Sequence, residues 1–113
     1  FQMTGTELST AVRLGLNPIV LIFNNDGYGT MRKIRDGKFN AITRWNYTKI
    51  CELVGGGDYA VASTKGELDG AIRSALGSDD GPRVIEIRYP RDTVSPQLAT
   101  MTDEMAKARG GKK

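Results

Sequence analysis

Three polar residues, Asn24, Asn25 and Asp26, directly follow a hydrophobic run and could bind a metal ion or a phosphate group. Their two amides and one carboxylate offer the oxygen ligands that hard cations prefer. Gly27 and Gly29 allow the backbone to approach a bound group closely, because glycine has no side chain. An ordinary polar loop with asparagines in turn conformations is the alternative, since such loops follow many strands. The residue types alone leave both interpretations open.

The run before the asparagines, Ile19 to Phe23, predicts a β-strand. Its five consecutive apolar residues follow Pro18, and three of them are β-branched. We expect this strand to be buried on both faces, as in a parallel sheet flanked by helices. In open α/β sheets, ligands bind beyond the carboxyl ends of the strands, which is where the asparagines would lie.

Helical and strand patterns alternate along the rest of the chain. Further strands are predicted at residues 59–62 and 84–87, and helices at residues 4–16, 46–54, 64–76 and 95–109, with a short helix within 28–36. Residues 38–45 are predicted to be irregular. This order predicts an α/β fold with an open, mainly parallel sheet flanked by helices. Three strands are few for such a sheet, so we expect further elements before Phe1.

The helix ends carry recognisable signals. Thr4 with Glu7, and Thr64 with Glu67, have capping-box spacing, and Asn46 is a third candidate cap. In the first helix, the predicted core-facing residues are Leu8, Ala11, Val12 and either Leu14 or Leu16. The short helix after the asparagine loop would point its amide end at the loop, which favours a phosphate or another anion.

Composition excludes several classes of protein. The 113 residues are 39% hydrophobic and 26% charged, as in one modest globular domain. No apolar run reaches the length of a membrane span and no secretory signal is visible, so we predict a cytoplasmic protein. The single cysteine, Cys51, rules out an internal disulfide and is predicted to be a core residue. Without histidine, the chain has no imidazole base and none of the usual zinc sites.

The net charge of +3 does not indicate a nucleic-acid or membrane partner. Four positive charges lie in the last seven residues, at Lys107, Arg109, Lys112 and Lys113, which leaves residues 1–106 at −1. Nucleic-acid binding would need a basic stripe with aromatic residues on the fold itself. We therefore predict a basic tail after the last helix and neither partner.

Two stretches of the chain resemble a known family. Residues 1–20, beginning Phe-Gln-Met-Thr-Gly-Thr-Glu, and residues 24–30, Asn-Asn-Asp-Gly-Tyr-Gly-Thr, are similar to the C-terminal diphosphate-binding domain of thiamine-diphosphate-dependent decarboxylases. The similarity is closest to the pyruvate and indolepyruvate decarboxylases and extends to Trp45–Tyr47 and Val84–Glu86. The family's cofactor motif runs from Gly-Asp-Gly to Asn-Asn, and Asn24-Asn25 match its end. We expect the Gly-Asp-Gly to stand just before Phe1.

This resemblance implies a site for thiamine diphosphate and Mg²⁺. Asn25, Asp26, Gly27 and Tyr28 would bind the cofactor, and the side chain of Asn25 and the backbone carbonyl of Gly27 would be metal ligands. The aspartate of the missing Gly-Asp-Gly would be the third protein ligand, and Asn24 would shape the turn. The reaction implied is the decarboxylation of a 2-oxo acid, with the cofactor as electron sink.

The chain departs from the resemblance at the position of a catalytic glutamate, where Met31 stands instead. A thioether cannot transfer a proton, so the pyruvate decarboxylase proton-transfer scheme does not carry over. The resemblance places Thr30 and Met31 facing the reaction centre but assigns no catalytic residue with certainty. The glutamate that activates the cofactor and the substrate-facing histidines belong, by resemblance, to an amino-terminal domain.

We therefore expect residues 1–94 to be a partial cofactor-binding domain and residues 95–113 a C-terminal helix and basic tail. The fragment would be inert alone, and the complete enzyme, with its N-terminal part, would be a homo-oligomer acting on a small 2-oxo acid. Two alternatives stay open. One is another thiamine-diphosphate lyase, such as an acetolactate synthase or a benzoylformate decarboxylase, and the other is a non-catalytic binding or assembly domain.

Overall fold

The computed structural model describes residues 1–110, in which helices and parallel strands alternate. The elements are α1 (Leu8–Arg13), β1 (Ile19–Asn24), α2 (Gly29–Ile34), α3 (Ile50–Val54), β2 (Asp58–Ala62), α4 (Lys65–Leu76), β3 (Arg83–Arg88) and α5 (Pro96–Gly110). Short 3₁₀ turns occur at Gly5–Glu7, Lys38–Asn40 and Tyr47–Lys49. Residues 111–113, and with them Lys112 and Lys113 of the predicted basic tail, lie outside the described residues.

The described residues fall into two compact units. Residues 1–24 and 45–89 form the first unit, which holds the sheet, and residues 25–44 and 90–110 form the second, which holds α2 and α5. The predicted domain boundary after residue 94 stays a prediction. Among the helices of residues 1–110, none combines the length and the apolar character that crossing a bilayer requires.

The sheet of the first unit has the order β1-β3-β2, with every neighbouring pair parallel. This arrangement confirms the predicted α/β class. The central strand is β3, in which Val84, Ile85 and Glu86 are each only 1% exposed. Helices cover both of its faces. Buried side chains of α1, α3 and the sheet pack together on one face, namely Leu8, Ile22, Ile50, Cys51 and Val84, and α4 packs against β2 and β3 on the other.

Strand β1 is buried on one face only, so the prediction that both of its faces are buried is wrong. Ile22 is 4% exposed, whereas Ile19, Leu21 and Phe23 on the opposite face are 36%, 40% and 65% exposed. The physical reason is the strand order. Because β1 is an edge strand of this sheet, α4, which covers that face of the first unit, packs against β2 and β3 rather than over β1.

The first helix is shorter than predicted, and its capping box is absent. The backbone N–H groups of Thr4 and Gly5 donate to the Phe1 carbonyl, so the chain is already turning before Thr4. The N–H of Glu7 then donates to the backbone carbonyl of Thr4 rather than to its hydroxyl. Helix α1 ends at Arg13, because Gly15 adopts a left-handed conformation with φ 63°.

The early end of α1 also changes which residues face the core. Leu8 is buried and Ala11 and Val12 are half-buried, as predicted. Leu14 and Leu16 are 55% and 52% exposed, so neither alternative for the last core position of this helix is correct.

The other helix signals are confirmed. Thr64 and Glu67 form the reciprocal capping box at the start of α4, and the side chain of Asn46 accepts from the Thr48 N–H, at 3.2 Å. Helix α3 stops at Gly55, whose φ of 81° is left-handed. The predicted short helix within residues 28–36 is α2, the last predicted helix is α5, and residues 38–45 contain one 3₁₀ turn in an otherwise irregular segment.

Candidate cofactor-binding site

The loop Asn25–Tyr28 is held from one side by the carbonyl of Asn40 within the second unit. That oxygen accepts from the Tyr28 N–H at 2.9 Å and from Arg32 Nη2 at 3.3 Å. Arg32 Nη2 also donates to the Asp26 carbonyl, at 3.2 Å. Asn40 is only 1% exposed, and its side-chain amide donates to the Arg35 carbonyl at 2.8 Å. The loop is therefore packed against a fixed, buried acceptor.

Only glycine fits at position 27. Its φ is 157°, and a Cβ atom placed there would lie 2.5 Å from the Asn40 carbonyl oxygen and would also collide with Arg32 Nη2. The neighbouring Asp26 has φ 57°, a left-handed value that aspartate tolerates better than most residues. Two successive unusual backbone conformations thus create a sharp turn that a bulkier sequence could not adopt.

The hydrogen bond of Tyr28 sets the direction of the Gly27 carbonyl. The Gly27 C=O and the Tyr28 N–H belong to one peptide group, and the described residues contain no cis peptide bond. In a trans peptide these two groups point in opposite directions. Because the N–H points at Asn40, the Gly27 carbonyl oxygen points away from Asn40. The Gly27 carbonyl oxygen therefore lies on the side of its peptide group opposite Asn40.

The side chain of Asn25 is held over Gly29. A Cβ atom at Gly29 would collide with Asn25 Nδ2, so the absence of a side chain there makes room for the amide. Asn25 Oδ1 lies on the far side of the amide from Gly29. Asn25 and Gly27 lie two residues apart in the same turn, and the role of their oxygens as metal ligands stays a prediction.

The remaining predicted site residues have distinct surroundings. The Asp26 carboxylate forms an ion pair with Arg44 at 2.5 Å, with the Asp26 side chain 38% exposed. Tyr28 is 50% exposed, and Thr30 and Met31 lie exposed on the first turn of α2. Helix α2 is short, as predicted, and with six residues its dipole is a small contribution.

Asn24, by contrast, belongs to a buried polar network of the first unit. Its side-chain amide donates to Glu86 Oε1 at 2.5 Å, and Glu86 also accepts from the Tyr59 hydroxyl and from Arg88 Nε and Nη2, at 2.9 and 3.1 Å for the arginine. Glu86 is 1% exposed on the central strand. Asn24 thus ends β1 and bonds to the central strand, and its role in shaping the turn stays a prediction.

The charge of Glu86 is maintained by its partners. Burial alone raises the pKa of this carboxyl group, but the hydrogen bonds from Arg88, Tyr59 and Asn24 outweigh burial and hold the pKa below its ordinary value. Burial, and then the hydrogen bond to Glu86, raise the pKa of the Tyr59 hydroxyl. Sequence reasoning missed Glu86 as an organising residue, although a lone carboxylate within the apolar Val84–Ile87 run is a usable signal.

We expect Glu86→Gln to lower the free energy of unfolding by about 3 kcal/mol at pH 7, because it removes a buried, hydrogen-bonded charge. Because the pKa of Glu86 is lower in the folded protein than the value of about 4.3 in the unfolded chain, its charge stabilises the fold at pH values above about 4.3. This stabilisation is lost as the pH falls through the pKa of the folded protein. On acidification, the free energy of unfolding of Glu86→Gln should therefore fall less than that of the wild type. Urea unfolding at pH 7 and at acidic pH measures both effects.

Glu52→Gln is the matched control for this measurement. Glu52 is exposed and pairs with Lys49 at the surface, so its loss should change the stability by no more than about 0.5 kcal/mol. Equal effects of the two substitutions would show that the Glu86 network contributes no more than a surface ion pair.

Among residues 1–110, no group of three or more histidine, cysteine, aspartate or glutamate side chains could hold a metal ion. A cation at the Asn25–Gly27 turn would therefore use amide and carbonyl oxygens of this chain together with ligands from elsewhere. This arrangement suits a hard cation that is shared with a phosphate-bearing ligand.

Proteins that are named as decarboxylases match most of the chain. The chain is 34% identical to a pyruvate decarboxylase of Neurospora crassa over 112 residues, which are 96% of this chain and 20% of that protein. It is 35% identical to an indole-3-pyruvate decarboxylase of Azospirillum brasilense over 100 residues, covering 88% of this chain and 18% of that protein. An alpha-keto-acid decarboxylase of Mycobacterium bovis is 33% identical over 109 residues, which are 93% of this chain and 20% of that protein.

The chain spans about a fifth of the length of these curated relatives. The sequence model of one domain family, the C-terminal TPP-binding domain of thiamine pyrophosphate enzymes, matches residues 1–87. That range contains β1, β2, β3 up to Ile87, the Asn25–Tyr28 loop and Glu86. The chain therefore belongs to the thiamine pyrophosphate enzyme family and carries its C-terminal TPP-binding domain.

Proposed function

We propose that this chain is the C-terminal cofactor-binding part of a thiamine-diphosphate- and Mg²⁺-dependent 2-oxo acid decarboxylase of the pyruvate or indolepyruvate decarboxylase type. The observation that carries the proposal is the Asn25–Gly27 turn, which presents two oxygens from a backbone that only glycine permits. The named activities of the relatives support the decarboxylase class. The free Cys51 thiol supports a reducing, cytoplasmic setting.

The residues of the turn fit a Mg²⁺–diphosphate group. Asn25 Oδ1 and the Gly27 carbonyl oxygen would be metal ligands, which is a small set of the kind that Mg²⁺ uses when phosphate oxygens complete its shell. Asp26 and Tyr28 would line the cofactor from the same loop. The pairing of Asp26 with Arg44 leaves no unpaired carboxylate at the turn to repel a diphosphate.

The work of this chain would be to bind and orient the cofactor. Thiamine diphosphate, when bound, supplies the nucleophilic carbon and the electron sink for loss of CO₂. The rigid Asn25–Tyr28 turn would fix the diphosphate end, and Thr30 and Met31 would present an uncharged surface towards the reacting end. Because the Met31 side chain has no titratable group, other groups would have to carry out any proton transfer at that position.

The relatives are about five times as long as the part that matches this chain, which supports the proposal of further domains in the complete enzyme. We propose that the remaining ligands and the proton-transferring groups come from an N-terminal part of the same enzyme, which acts as a homo-oligomer on a small 2-oxo acid. The complete enzyme should convert pyruvate or indolepyruvate to CO₂ and the corresponding aldehyde. Product analysis by chromatography tests this, and a carboligated acid as the main product would instead indicate a synthase.

The isolated chain of 113 residues should be inert and should bind thiamine diphosphate weakly, because one metal ligand and the opposing wall of the site would be absent. Calorimetric titration of the isolated chain and of the complete enzyme, each with cofactor and Mg²⁺, measures the difference. Sub-micromolar binding by the isolated chain would overturn this expectation.

A further inference from the structure

The side chain of Arg32 holds both flanks of Gly27. Its Nη2 donates to the carbonyl of Asp26, before the glycine, at 3.2 Å, and to the carbonyl of Asn40 at 3.3 Å. The same Asn40 oxygen accepts from the N–H of Tyr28, after the glycine, at 2.9 Å. One guanidinium nitrogen therefore connects the two peptide groups that determine how the Gly27 carbonyl is aimed.

This arrangement is not optimised for stability. Arg32 Nη1 is buried and has no hydrogen-bond partner among residues 1–110. A buried donor without an acceptor is unfavourable, and such exceptions in a fold call for an explanation beyond stability. A lysine in place of Arg32 would leave no second nitrogen unpaired, but it would also lose the planar fork that positions Nη2.

We infer that Arg32 is a positioning residue for the metal-binding turn, an inference that rests on the proposed function. Arg32 makes no bond to the metal or the cofactor in this account. It fixes the Asp26 and Asn40 carbonyls, and through the Tyr28 N–H it keeps the Gly27 carbonyl oxygen in one direction. Arg32 Nη2 lies so close to Gly27 that a Cβ atom at this position would collide with it.

A fixed carbonyl matters more for Mg²⁺ than for Ca²⁺. Mg²⁺ demands near-ideal octahedral geometry at about 2.0–2.1 Å, whereas Ca²⁺ accepts irregular geometry at about 2.3–2.6 Å. Loosening the turn should therefore weaken Mg²⁺ binding selectively. A residue that only stabilised the fold would not change the preference between the two ions.

The test compares Arg32→Lys with wild type in the complete enzyme with saturating thiamine diphosphate. We expect the Kd for Mg²⁺ to rise by about 10–100-fold, the usual cost of losing a residue that orients a metal ligand. The Kd for Ca²⁺ should rise clearly less, so that the ratio of the two constants shifts. Calorimetry gives both constants, and circular dichroism confirms that the variant is folded.

Arg35→Lys is the matched control, because Arg35 is exposed on the same segment and lies over the Phe39 ring, 5.8 Å from its centroid. It should bind both ions as wild type does. If Arg32→Lys does not fold, Arg32→Gln, which keeps an amide donor, takes its place. An unchanged Mg²⁺ constant, or equal weakening of both ions, would overturn the role of Arg32. A wild-type enzyme that binds cofactor without needing a divalent cation would overturn the proposed function instead.

Discussion

Replacing Asn25 by leucine should weaken the binding of Mg²⁺ and thiamine diphosphate to the complete enzyme by at least about 100-fold. Leucine has nearly the shape of asparagine, so it can occupy the space above Gly29 that the amide now fills. It removes the Oδ1 oxygen, however, and a methyl group cannot coordinate a hard cation. Calorimetric titration of cofactor at fixed Mg²⁺ measures the loss.

Two further variants make this result specific. Asn25→Asp keeps an oxygen at the same place and should retain most of the affinity. Cys51→Ala changes a buried residue of the first unit, whose thiol donates to the Asp58 carbonyl at 3.2 Å, and should leave cofactor affinity nearly unchanged. Comparable losses in Asn25→Leu and Cys51→Ala would mean that general destabilisation, and not a metal ligand, explains the effect.

The second large effect is expected at Met31. In the complete enzyme, Met31→Glu should change the rate of aldehyde release far more than it changes cofactor binding. A positioned acid or base contributes about 10²–10⁴-fold to a proton-transfer step, and the 47% exposed side chain on α2 has room for a carboxylate. Single-turnover kinetics with several 2-oxo acids, comparing CO₂ release with aldehyde release, resolve the step that changes.

Met31→Gln separates charge from shape in this experiment. Glutamine has the size of glutamate but no titratable group, so it should behave as the wild type in both steps. If Met31→Glu also leaves both rates unchanged, Met31 lies outside the reaction centre. The residue-by-residue assignment beyond Gly27 would then be wrong.

Local signals predicted the elements well, because they depend on neighbours along the chain. At Thr64 the capping box forms, with the Glu67 N–H donating to the Thr64 hydroxyl at 3.2 Å. The same spacing at Thr4 does not give a capping box, because the Phe1 carbonyl accepts from the Thr4 and Gly5 N–H groups and starts a turn earlier. The spacing of Thr4 and Glu7 alone could not predict this contact.

Burial and hydrogen-bond networks were harder to predict, since both depend on contacts between distant residues. An apolar run such as Ile19–Phe23 indicates a strand, but whether each face is covered depends on strand order, which places β1 at an edge. The Asn24–Glu86 bond joins residues 62 positions apart. Arg32 and the Asn40 carbonyl are closer in sequence, but the segment between them is irregular, and hydrophobic periodicity does not predict the path of such a segment.

The position of the bound metal ion tests the proposed role of the Asn25–Gly27 turn. In a crystal structure of the complete enzyme with thiamine diphosphate and Mg²⁺, we expect the ion at about 2.1 Å from both Asn25 Oδ1 and the Gly27 carbonyl oxygen. Replacing Mg²⁺ with Mn²⁺ would identify the site by its anomalous scattering. A diphosphate-bound metal ion that contacts neither oxygen would show that the Asn25–Gly27 turn is not the metal site.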